Sequence, residues 1–193
     1  MPVDDGLDEI FEPLLERRRI TLRRRRAFGP LIQDLLNDVR SRVEQDDTLR
    51  PARIAYLFGI HRARELDSDI GSLDADPDLA TAIEEIMRDG PEVGVHLWIW
   101  SDTVAGAARR LSSRMMRECS WRIAGRMSPD DSLSLLGHER AAEIRDRQIL
   151  LSNDDVGILA RAITFGLPSA GWLAGIVGGI RRPGRHDQEN LDA

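Results

Sequence analysis

Between residues 84 and 136 the hydrophobic pattern switches back and forth between helical and extended periodicity, and this alternation most constrains the fold. Leu79, Ala82, Ile83, Ile86 and Met87 recur at helical spacing, and Asp89-Gly90-Pro91 then punctuates the chain. Val93 to Trp100 is an apolar run too short for a buried helix, so it predicts a core strand with the polar tip Ser101-Asp102. Val104, Ala108, Leu111 and Met115 mark the inner face of the next helix, and Trp121 to Met127 predicts another strand. Ser128-Pro129-Asp130-Asp131 supplies a cap, a proline in the first turn and acids at a helix N-terminus. Strands alternating with helices predict an α/β sheet with right-handed crossovers.

The flanks extend this pattern. Leu7 to about Gln45 is helical, interrupted at Gly29-Pro30, and Leu31, Leu35, Leu36, Val39 and Val43 form an apolar stripe able to pack on a sheet. RIAYLFGI at 53–60 predicts a central parallel strand. A run of acids without a base between Glu65 and Asp78 reads as an exposed loop. Gln148 to Leu151 and Gly157 to Phe165, separated by turn residues, predict a hairpin that closes the sheet. The expected organisation is a helical segment over 1–49, the main domain over 50–167, and a short docked segment with a disordered tail over 168–193.

At 193 residues the chain is long enough to bury a core as one domain. Its net charge of -6 argues against coating nucleic acid by bulk electrostatics, so any such contact must be local. The basic stretch RRRITLRRRR carries Arg17, Arg18, Arg19, Arg23, Arg24, Arg25 and Arg26. It reads either as a solvated helix surface or as a phosphate-binding arm for DNA. All 27 basic residues are arginine. A phosphate loop of the Walker type needs a lysine, which excludes one from this sequence.

Cys119, the single cysteine, rules out an internal disulfide and reads as core filler in a reducing cytoplasm. No secretory signal is evident, and Ala170 to Ile180 is too short to span a bilayer. The histidines lack metal spacing, so no metal site is expected within the chain itself. His96, Trp98 and Trp100, lying in an apolar strand, are expected in the core.

Ligands of open parallel sheets gather at the carboxyl ends of strands. That singles out His61 and Arg62, Ser101 and Asp102, and Met127 to Asp130. Around these positions RDGPEVGVHLWIWSDT resembles the helix, strand and polar tip of FtsK/SpoIIIE-type DNA translocases, where the tip carries a threonine-glutamine sensor pair. WRIAGRMSPDDSLSLLG is similar to that family's next strand and its leucine-rich helix. RIAYLFGIHRARELD is similar to a branch whose Walker B strand does not end in aspartate-glutamate.

The resemblance covers roughly residues 50–166. It implies an α/β fold: a partial RecA-like P-loop NTPase core with a mostly parallel sheet, a C-terminal β-hairpin and an N-terminal helical extension. It also implies ATP and Mg between adjacent subunits of a ring, with DNA in the pore. Arg122 matches the family arginine that reaches into a neighbour's nucleotide site, where a fixed cation stabilises phosphoryl charge. The competing reading is a strand-end arginine paired with a nearby acid, and Arg126 is a weaker candidate.

Ser101 and Asp102 match the sensor pair, with an acid in place of the amide donor. His61 stands where metal-associated acids are usual, and histidine is a poor magnesium ligand, leaving Glu65 as a substitute if the chain bends toward the site. The resemblance thus implies the C-terminal portion of an ATP-dependent DNA translocase, of the kind that serves cell division. Such a portion would hydrolyse ATP only with a phosphate-loop-bearing partner or homologous ring subunits. The alternative is a catalytically inactive, motor-like adaptor that docks DNA or protein.

Overall fold

The apolar stripe that follows Gly29-Pro30 forms helix α1, Phe28–Glu44, in the computed structural model of the chain. The structure describes residues 27–46, 49–66 and 76–164, with the isolated positions 21, 23, 171, 172 and 175. The chain divides into two units, one comprising residues 24–164 and the other residues 1–23 with 165–193. In the latter only Thr21, Arg23, Gly171, Trp172 and Gly175 are described, and all are exposed. The expected arginine-rich helix, apart from Arg23, and the expected tail therefore lie largely outside the described residues.

Within residues 24–164, α1 buries Ile32, Leu35, Leu36, Val39 and, unexpectedly, Arg42. Val43, expected on the same face, is exposed. Arg42 tolerates burial because its guanidinium is satisfied: Nη1 donates to the carbonyls of Pro51 (3.2 Å) and Val93 (3.0 Å). Its Nε and Nη2 donate to the Asp38 carboxylate at 3.1 and 3.2 Å. Those carbonyls lie just before strands β1, Arg53–Phe58, and β2, Val95–Trp100, so one side chain pins the helix to both strand entrances. Arg53 adds a bond to Asp38 (3.3 Å) and pairs with Asp34.

β1 and β2 pair in parallel, with Arg53 opposite Val95 and Phe58 opposite Trp100. The crossover between them contains α2, Pro77–Asp89, started by Asp76, whose carboxylate accepts from the amides of Asp78 and Leu79. Leu79, Ala82, Ile83, Ile86 and Met87 are buried, as their spacing predicts. Arg40 on α1 forks onto Glu85 of α2 at 2.6 and 2.7 Å.

Gly90 ends α2 with ordinary helical φ (-59°); the left-handed turn falls to Gly94 (φ 74°). Glycine is needed at 90 for close approach, because a Cβ would lie 2.4 Å from the Ile86 carbonyl oxygen and 2.6 Å from that of Val95. The strand accordingly begins at Val95, after a single 3₁₀ turn over Pro91–Val93, and not at Val93.

The helix expected after β2 is two short ones, α3 (Val104–Ala108) and α4 (Ser113–Glu118). Ser112 breaks it by accepting from the Met115 amide as a new cap (3.1 Å). Leu111 and Met115 reach the core, whereas Ala108 is exposed. One core results, with Ala55, Leu57 and Val95 of the parallel sheet against α1, α2 and these two residues.

The third predicted strand differs in length and partner. β3 is Trp121–Ala124 and pairs antiparallel with β4, Gln148–Asn153, which pairs antiparallel with β5, Ile158–Ile163. The hairpin exists as predicted, but it closes a separate sheet and not the parallel one. The reason is visible in the pattern of β3: Arg122 breaks the apolar run, and exposed and covered residues alternate as in a half-buried antiparallel strand.

Ala124, Leu136, Ala141 and Leu150 form a second small core beneath it. Helix α5, Pro129–Leu136, starts as predicted, with the Ser128 hydroxyl accepting from the Asp131 amide (3.1 Å). The fold is α/β, with a small parallel sheet and an antiparallel hairpin sheet.

Asp38 gives this fold a pH signature. Burial works against its ionisation, but hydrogen bonds and charge from Arg42 and Arg53 outweigh burial and hold the carboxyl below its ordinary value. A carboxylate lowered on folding stabilises fully above its unfolded pKa and loses that contribution as pH falls through the folded value. Asp38→Asn is expected to cost about 2 kcal/mol at neutral pH, the worth of a charge-assisted hydrogen bond. In urea unfolding the difference between Asp38→Asn and the parent should shrink toward zero in strong acid; a gap independent of pH would refute it.

Candidate functional site

The carboxyl ends of β1 and β2 bring His61, Ser101 and Asp102 into one corner. Gly59, in the left-handed region (φ 77°), turns the chain out of β1 into a 3₁₀ turn over Ile60–Arg62, while its amide still donates to the Trp100 carbonyl (3.0 Å). His61 is thereby set beside β2. Its Nδ1 lies 3.0 Å from Asp102 Oδ1, yet outside hydrogen-bonding geometry, so the contact is electrostatic and not a directed bond. Its Nε2 accepts from Arg62 Nε at 3.1 Å. With Nε2 accepting, Nδ1 is the ring nitrogen that carries a proton. Arg110 Nε donates to the His61 carbonyl (3.2 Å).

Ser101 turns inward on its own loop: its hydroxyl donates to the Thr103 carbonyl at 2.9 Å. Thr103 starts α3 by accepting the Gly106 amide on Oγ1 (3.0 Å). Gly106 is the least replaceable member of the corner, because a Cβ there would lie 2.8 Å from His61 Cβ and 2.7 Å from Thr103 Oγ1. Thr103, Gly106 and Arg110 escaped the sequence reading. Thr103 carries a usable signal, a hydroxyl residue at the start of a helix.

The corner has limited chemistry. Among the described residues no hydroxyl hydrogen-bonds His61, so the corner shows no nucleophile-base pair. Glu65 follows in a 3₁₀ turn over Arg64–Leu66, its buried Oε2 without a hydrogen bond among the described residues. No group of three or more potential metal ligands occurs among the described residues. With no lysine in the chain and Ser101 committed to its own turn, these residues do not by themselves cradle a nucleotide's phosphates.

Arg122 is held elsewhere. It lies on β3, with Nη1 donating to Asp154 (3.1 Å) and Nη2 to the Met116 carbonyl (3.4 Å). Arg126 is exposed and 3.5 Å from Asp146. The structure thus gathers His61, Ser101 and Asp102 and gives Arg122 an acid partner on the neighbouring turn. Of the arginine run only Arg23 is described, and it is exposed. Burial pushes the Cys119 thiol above its usual value against the weaker pull of the Arg122 charge, which disfavours its thiolate. No helix among the described residues is long and apolar enough to cross a membrane.

No protein-family model matches the chain. No curated protein matches it either. Among solved structures, the pCW3 conjugation coupling protein TcpA, in a monomer form with ATPγS, is similar with a TM-score of 0.62 at 13% identity. The match covers 82% of this chain and 49% of TcpA, so the chain spans about half the length of that relative. The cytoplasmic domain of the type VII secretion ATPase EccC from Thermomonospora curvata reaches a TM-score of 0.49 at 18% identity, covering 81% of this chain and 18% of that one. The likeness to TcpA shows the fold alone, an α/β arrangement shared with about half of that chain.

Gly106→Ala should destabilise the chain by about 1–3 kcal/mol, the cost of overpacking a filled space. Because the His61 ring lies 6.2 Å from that of Trp100, the substitution should also shift the Trp100 indole resonance. An unchanged spectrum with unchanged stability would show that the corner is looser than its packing indicates.

Proposed function

We propose that this chain is the C-terminal portion of an FtsK/SpoIIIE-like ATP-dependent DNA translocase motor, completed by a partner that supplies the phosphate loop. The observation that carries it is the likeness to about half of TcpA, a protein solved with a nucleotide analogue, in a chain that lacks lysine. ATP and Mg would be held only in the completed complex. There Arg122 would leave Asp154 for the neighbour's phosphoryl group, while His61, Ser101 and Asp102 form the edge of the strand-end site. Homologous ring subunits or a separate phosphate-loop-bearing chain could complete it, in the cytoplasm.

The test is ATP turnover by the purified chain alone and with the phosphate-loop-bearing product of an adjoining gene. Activity is expected only in the mixture, and Arg122→Ala should lower it about 10³-fold or more if the side chain acts as an arginine finger. Silence in the mixture, or turnover unaffected by Arg122→Ala, rejects the catalytic role.

The pairing of Arg122 with Asp154, and the histidine at position 61, favour a second reading: a catalytically inactive, motor-like adaptor for DNA or protein. In both readings Arg17, Arg18, Arg19, Arg23, Arg24, Arg25 and Arg26 form the DNA contact. Duplex affinity should then fall with salt at a log-log slope of about -0.9 per phosphate engaged, and replacing Arg23 to Arg26 by glutamine should flatten it. Salt-independent binding would remove DNA from the proposal.

A further inference from the structure

Parallel sheets are covered on both faces, because crossover helices pack on each side. Among the described residues this one is covered on a single face. Ile54, Tyr56 and Phe58 of β1 lie opposite His96, Trp98 and Trp100 of β2 in register, and these positions form the other face. Ile54, Tyr56 and Trp98 are 59%, 55% and 54% exposed, so Trp98 and Trp100, expected in the core, are surface residues. Phe58 and Trp100 stack at 4.3 Å with a 3° interplanar angle. Tyr56 lies 6.1 Å from Phe58 and 6.4 Å from Trp98, ring centre to ring centre. A continuous aromatic ribbon crosses both strands.

The chemistry of the ribbon selects its occupant. None of these positions carries an arginine to hold a nucleic-acid backbone, so base stacking would lack its usual electrostatic support. None carries an acid, so a basic surface has nothing to answer. An uncharged apolar polypeptide fits. The match to half of a larger α/β chain says where such a polypeptide comes from, since a bare sheet face is where the remainder of such a core packs.

Resting on the reading of this chain as part of a motor core, we propose that the aromatic face docks the phosphate-loop-bearing polypeptide. That polypeptide lays an uncharged, apolar helix across Tyr56, Phe58, Trp98 and Trp100.

The experiment co-expresses the chain with the phosphate-loop-bearing product of an adjoining gene and measures affinity for the parent, Tyr56→Glu and Trp98→Glu. Val156→Glu, on the exposed turn between β4 and β5, is the control. Circular dichroism checks folding, and the milder Trp98→Ser replaces any variant that fails to fold.

The expected result is a complex weakened about tenfold or more by either face variant and unchanged by the control, with the tryptophan emission blue-shifted on binding. A complex of equal affinity in all variants overturns the docking face and leaves the motor reading standing. A complex that needs the face but turns over no ATP upholds the docking and overturns the catalytic role. Absence of any complex overturns the docking. Dimerisation of the chain lost in Trp98→Glu, or quenching of its tryptophans by oligothymidine, reassigns the face to a second copy or to single-stranded DNA.

Discussion

The guanidinium of Arg42 is the tie on which the parallel half of the fold depends. It is 5% exposed and reaches from α1 to the backbone just before both strands, with Asp38 neutralising it from one turn away. An arginine suits the task because its planar fork presents several donors at fixed angles, enough for two carbonyls and a carboxylate at once. Removing Asp38 leaves that cation buried without its counter-charge, so helix, strand entrances and the β1–α2–β2 crossover share one electrostatic dependence.

That tie was invisible in the sequence, whereas much around it was legible. Leu79, Ala82, Ile83, Ile86 and Met87 announced α2 because one stripe meets one core, and the serine and proline at 128 and 129 announced α5 because caps are local chemistry. Arg42 lies off the apolar stripe, and helical periodicity carries no information about which carbonyls a long side chain will meet. The break at Ser112 was missed because the apolar spacing runs through it, although its hydroxyl caps a new helix. Parallel pairing of β1 and β2 brings His61, Ser101 and Asp102 together at their ends, while the third strand, and with it Met127 to Asp130, belongs to a separate sheet. Gly106 was missed because its constraint is a close approach from another element, which no local pattern encodes.

Trp98 and Trp100 show the complementary failure. An apolar strand normally belongs to a core, and by composition this one does, yet among the described residues no element covers the face carrying its indoles. A sequence pattern records what a surface is suited to bury, while the structure records what is there to bury it. The two disagree over one side of a parallel sheet whose other side is well packed, and edge strands with apolar faces are liabilities that proteins do not usually leave open. The same pattern recurs on the antiparallel sheet, where Trp121 and Ile123 are more than half exposed.

The contacts of Arg122 with Asp154 and of His61 with Asp102 differ in what it takes to break them. Arg122 and Asp154 meet at 3.1 Å with Asp154 two-thirds exposed, and such pairs contribute only about 0–1 kcal/mol. A phosphate offers the same fork a denser negative charge, so the arginine is recruitable. Asp102 faces His61, which Gly106 packs from behind and Arg62 and Arg110 hold by hydrogen bonds, so shifting that corner means repacking α3. The cation on β3 thus pairs with a largely exposed acid while also held by the Met116 carbonyl, whereas the polar edge at the ends of β1 and β2 is fixed by the packing of α3.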